Sequence, residues 1–112
     1  MKLNEYQNNA SKTAIFDHFN NEALRLSYLA LGTAGEAGEI AEKIKKILRD
    51  GDGNVTEQNK EDIVKEMGDV LWYLSQLARE LGVEFEYVAK VNLNKLQSRK
   101  LRGKLHGSGD DR

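Results

Sequence analysis

The chain has 112 residues, enough for one compact domain and too few for two. Charged residues make up 31% and hydrophobic residues 39%, as in a helical protein with a charged exterior, and the net charge of −1 argues against a general nucleic-acid binder. Cysteine is absent, which excludes disulfides and thiolate metal sites, and no apolar run approaches the ~20 residues of a membrane span.

Proline is also absent, so only glycine interrupts long helices. A short helix is expected over Leu3–Lys12. A long one should cover Asn21–Leu48, with Ile40, Ile44 and Ile47 on one stripe, and Gly51 and Gly53 mark the turn after it. The clearest helix runs over Lys60–Leu81, where Ile63, Met67, Val70, Leu74, Leu77 and Leu81 alternate steps of four and three, the spacing of a packed seam. Gly82 stands where a helix stop belongs. A last helix is expected over Glu84–Leu101, and from Gly103 the chain reads as a flexible C-terminal tail. The expectation is an all-α, four-helix-type bundle: a single helical domain over residues 1–102 and a tail over 103–112. A core of this size has a thin margin, so an oligomer is expected. Met1–Tyr6 lacks a signal-peptide layout, so the expected location is cytoplasmic.

The second helix carries Gly35-Glu-Ala-Gly-Glu39 and the third Glu66-Met-Gly-Asp69. Each motif sets two carboxylates three residues apart, on neighbouring tracks of one helix face. Acids are common on solvated faces, and a lone pair would be read so. Glu36, however, continues the Ile40/Ile44/Ile47 stripe, and Glu66 lies one turn before Val70, so both pairs reach toward inward faces. Carboxylates withdrawn from water need a cation or donors. If the two helices pack antiparallel across the Asp50–Gln58 loop, Glu36, Glu39, Glu66 and Asp69 converge. Four oxygen ligands suit a hard divalent ion, Mg²⁺ first and Mn²⁺ second. Gly32, Gly35, Gly38 and Gly68 add weight: each costs ~1 kcal/mol relative to alanine inside a helix, and all lie beside the acids. Close approach of a backbone or ligand would account for them, although small residues also permit tight helix packing. A di-iron bundle is disfavoured, because neither His18 nor His106 completes a Glu-x-x-His motif.

The last helix is basic. Asn92, Lys95 and Arg99 form a narrow stripe by steps of three and four, starting beside Phe85, Val88 and Leu96, where an asparagine needs a partner. Lysine and arginine are the natural partners of phosphate oxygens. A block of like charge is usually a solvated face, and no recognised nucleic-acid motif accompanies it. Beside an acidic metal site, the stripe suits a metal-bridged polyphosphate.

Gly-Glu-Ala-Gly-Glu at 35–39, followed by Lys-Glu-Met-Gly-Asp-Val-Leu-Trp-Tyr-Leu at 65–74, resembles the MazG-type nucleotide pyrophosphohydrolases of the all-α NTP pyrophosphatase superfamily. The resemblance runs from about Leu24 to Arg99, making the helical domain MazG-like. It implies hydrolysis of a nucleoside triphosphate to monophosphate and pyrophosphate with Mg²⁺, as part of nucleotide-pool house-cleaning. It also implies that Glu36, Glu39, Glu66 and Asp69 are the catalytic and metal-binding residues, and that Asn92, Lys95 and Arg99 bind the substrate phosphates. A homodimer or homotetramer follows from the same likeness.

Either Glu36 or Glu39 could act as general base instead of ligand. The aromatics Phe19, Tyr28, Trp72 and Tyr73 are expected in the core or an interface, as aromatics in bundles usually are. A non-catalytic module that binds a nucleotide or a partner is the alternative from another class, and a structural dimerisation bundle is a third.

Overall fold

Each helix begins and ends for a local reason. Asn21 caps one start, its side chain accepting from Leu24 N–H at 2.8 Å. Thr56 and Asn59 close a reciprocal capping box at another, with bonds of 3.0 and 2.9 Å. Gly82 adopts φ +76° where the third helix stops, and Val83 N–H reaches back to the Ala78 carbonyl at 3.0 Å. The computed structural model describes all 112 residues, as four helices and no strand: α1 (Leu3–Ser11), α2 (Glu22–Asp50), α3 (Glu57–Glu80) and α4 (Phe85–Leu101).

The two long helices form an antiparallel hairpin. Its register is fixed at the open end by Arg25 of α2, whose Nε lies 2.6 Å from Glu80 Oε1 of α3 and whose Nη1 donates to the Phe19 carbonyl at 2.9 Å. Further in, the Tyr73 ring lies on the backbone of Gly32, so that a Cβ there would collide with it. Leu29, Ile47 and Ala78 are buried along the hairpin. Phe16, Tyr28, Trp72 and Tyr73 form an aromatic cluster with successive ring centroids 5.0 to 6.4 Å apart.

Helix α1 fastens the end of α3 to the start of α4. Gln7 is buried, donates to the carbonyls of Ser75 and Val83 at 3.1 Å, and accepts from Phe85 N–H at 3.1 Å. Asn4 accepts from Glu86 N–H at 2.9 Å. The free N–H groups that open α4 are thus satisfied by side chains about 80 positions earlier in sequence, while Glu84, at the N-cap, caps no N–H itself and instead accepts from Asn4 Nδ2 at 2.9 Å.

The four helices do not close into a bundle within one chain. Helix α4 touches α1 and α3 but not α2. The radius of gyration is 17.0 Å, against about 13 Å for a compact chain of this length. Much of the expected α3 seam is consequently open: Met67 is 54% exposed and Leu81 58%. Val64, Met67, Leu71 and Leu74, at steps of three and four, make an apolar stripe that no other part of the chain covers.

Candidate active site

The hairpin register brings Glu36 of α2 opposite Glu66 and Asp69 of α3. One carboxylate oxygen from each lies within 4.8 Å of the others. Glu36 and Glu66 are half-buried and Asp69 is exposed. Three carboxylates this close repel one another. The Glu36 carboxyl is accordingly pushed above its ordinary value, first by burial and then by the charges of Asp69, Glu66 and Glu39. Glu39 is exposed and stands outside the converging trio, although its charge is felt at Glu36. Of the four acids expected to converge, the fold gathers three and leaves one on the rim.

One cation faces the group: Lys43 Nζ lies 3.6 Å from Glu66 Oε1. Sequence reasoning passed over this lysine, although it follows Glu39 by four and Glu36 by seven, on the same helix face. A single ammonium does not neutralise three carboxylates. Hard oxygen ligands contributed by two helices suit a hard divalent cation. Lys43 also lines a cleft of about 500 Å³ at the loop end of the hairpin, together with Lys46, Asp50, Asn54, Asn59 and Asp62.

Two tyrosines border the acids and carry no recognisable motif. The Tyr73 hydroxyl is pushed up by burial, by the neighbouring Tyr28 hydroxyl, and by the charges of Glu36 and Asp69. Tyr6 of α1 is pushed up by burial and by Asp69. Tyr28, Trp72 and Tyr73 thus pack as expected of core aromatics, with Tyr73 touching the edge of the site as well. Phe19, half-buried, packs at a tilt against Tyr28, with centroids 5.4 Å apart, and against His18 at 4.3 Å.

The glycines divide. Gly32 is required by the Tyr73 ring, whereas a Cβ at Gly35, Gly38 or Gly68 would meet nothing of the chain within 4 Å. Their smooth surface faces open space beside the acids.

The basic stripe lies apart from this cluster. Helix α4 has no contact with α2, and Lys95 and Arg99 pair with residues 109–110 instead of with the acids. Asn92 is exposed, so the partner expected for it inside the fold is not needed. The expectation failed because Val88 and Leu96, which were to bury that side, are themselves 45% and 40% exposed. Arg99, by contrast, is buried at 5% exposure.

An all-helical chain with carboxylates converging from its two longest helices is a narrow structural class. Residues 25–102 match the model of the MazG nucleotide pyrophosphohydrolase domain, and the chain belongs to that family. The matched span holds the acidic cluster, Lys43 and α4; it leaves out α1 and residues 103–112. Among curated proteins, the chain is similar to the "Gene 37 protein" of Mycobacterium phage L5, at 52% identity over 114 aligned residues that span all of both chains. No solved structure matches it.

Proposed function

We propose that the protein is a Mg²⁺-dependent hydrolase that cuts nucleoside triphosphates between the α- and β-phosphates, yielding a nucleoside monophosphate and pyrophosphate in nucleotide-pool house-cleaning. The convergence of Glu36, Glu66 and Asp69 within 4.8 Å carries this reading, in a chain of the MazG family. These three residues would hold the ion, which supplies neutralisation of charge on the phosphate oxygens during transfer. Glu39, on the rim and free of the trio, is the better placed of the two candidates to take the proton from the attacking water. Lys43 offsets the acids and can turn toward phosphate oxygens, since its side chain is 40% exposed.

Asn92, Lys95 and Arg99 would bind the phosphates, the two cations holding the leaving pyrophosphate. Because α4 does not reach α2 within one chain, this role requires assembly. A homodimer or homotetramer is supported by the uncovered stripe Val64, Met67, Leu71 and Leu74, which a second copy would bury.

The test is incubation of the pure protein with canonical and modified NTPs and dNTPs plus Mg²⁺. Monophosphate and pyrophosphate are expected, and Glu39→Gln or Asp69→Asn should abolish turnover while helicity is kept. Release of single phosphate, or silence across the panel, would overturn the proposal.

A further inference from the structure

Residues 103–112 form no helix, yet they are tied down. Lys104 N–H closes the end of α4 on the Arg99 carbonyl at 2.7 Å. The chain then turns through Gly107 (φ +133°) and Gly109 (φ +85°), conformations that favour glycine, and comes back along the helix. Arg112 holds the return, donating to the carbonyls of Lys104, Leu105 and Gly109 at 2.7 to 3.2 Å, while its own carbonyl accepts from Arg102 at 2.7 Å.

This loop delivers its oxygens to the basic stripe. Arg99 Nη2 donates to the Asp110 carbonyl at 2.7 Å and to the Gly109 carbonyl at 3.3 Å. Asp110 Oδ1 lies 3.2 Å from Lys95 Nζ and 3.7 Å from Arg99 Nη2. One carboxylate and two carbonyls thus surround two cations one turn apart, much as phosphate oxygens would. Two details set this apart from an ordinary helix cap. The Arg99 side chain is only 6% exposed and its Nε donor has no acceptor, so the loop leaves a buried cation incompletely satisfied. The Asp110 side chain, in turn, is 87% exposed and its carboxylate meets only Lys95 and Arg99, so the carboxylate can turn away without unpacking anything.

We propose that Asp110 is an internal anion occupying the stripe at Lys95 and Arg99, and that a triphosphate chain displaces it on binding. The inference rests on the phosphate-binding role proposed above for those two residues. It makes the last ten residues a built-in competitor of the substrate.

The test is calorimetric titration of the full chain with inorganic tripolyphosphate at low salt, for wild type, Asp110→Asn and Asp110→Glu. An exposed pair is a modest competitor, so Asp110→Asn is expected to bind tripolyphosphate about two- to fivefold more tightly. Asp110→Glu should restore the wild-type value, and the difference should shrink as salt rises. In the pyrophosphate assay, KM should fall by the same factor with kcat unchanged. A loop that only caps α4 would move the melting temperature and leave tripolyphosphate affinity where it was. Affinity that is unchanged or weaker in Asp110→Asn overturns the proposal. A wild type that releases no pyrophosphate, yet gains tripolyphosphate affinity on neutralisation of Asp110, would sink the hydrolase reading alone.

Discussion

Replacing Gly32 with alanine should destabilise the protein, against the trend that alanine favours helices. On propensity alone the change gains ~1 kcal/mol. The new methyl group, however, points into the Tyr73 ring, whose Cδ1, Cε1 and Cζ all stand where it must go. The ring cannot swing away freely, because it is packed between Tyr28 and Trp72 with centroids 6.2 and 5.0 Å away. Overpacking of this kind costs about 1–3 kcal/mol. The net expectation is a loss of about 1 kcal/mol, or about 4–6 °C in Tm for a domain of this size. Thermal unfolding followed by circular dichroism reads it directly. The same substitution in a Tyr73→Ala background should reverse sign and stabilise by up to ~1 kcal/mol, since the obstruction is gone and the propensity gain remains. Destabilisation of equal size in both backgrounds would show that the ring is not seated on Gly32, and the hairpin register deduced from that contact would fall with it.

Gln7→Ala should strip the start of α4 of its partner. The buried Phe85 N–H would lose its acceptor, and the Ser75 and Val83 carbonyls would each lose a donor, for a loss of about 2 kcal/mol. Hydrogen exchange at Phe85 should accelerate well before exchange in the middle of α3, and uniform acceleration would contradict the fastening role of α1. Mg²⁺ affinity should fall with pH. Burial and three neighbouring carboxylates raise the Glu36 carboxyl, so its proton competes with the ion at a higher pH than that of an unperturbed glutamate would. Without metal the sign for stability is the reverse. The folded chain binds the Glu36 proton more tightly than the unfolded one, so stability should rise as pH falls toward the ordinary value. Calorimetry of Mg²⁺ binding without nucleotide between pH 7 and 5 checks the first statement, and a flat profile would refute it.

The four helices were legible because their signals are local. Asn21 and Gly82 act within a few residues of themselves, and every predicted end falls within three residues of the observed one, the largest gap being at α3, which the Thr56–Asn59 capping box starts three residues before the expected Lys60. The meeting of Glu36 with Glu66 and Asp69 was also legible, since one short loop between two long helices leaves little choice but an antiparallel hairpin. Periodicity fails at the next level. It marks Met67 and Leu74 as apolar positions of one face, but cannot say that this chain leaves that face bare. The contribution of Gln7 and Asn4 to α4 was invisible for the same reason, with partners 78 and 82 positions away. The glycines show a third case. Proximity to the acids was the visible pattern, yet Gly32 answers to an aromatic ring, and only Gly35, Gly38 and Gly68 border open space. The return of Asp110 to Lys95 and Arg99 depends on glycine turns in a segment whose composition reads as flexible.

The central claim is that Glu36, Glu66 and Asp69 share one divalent ion. A crystal grown with Mn²⁺ and measured for anomalous scattering answers it. A peak bonded to oxygens of all three side chains is expected, and it should be lost in Asp69→Asn. A peak elsewhere, or carboxylates that turn apart with no ion between them, would contradict it.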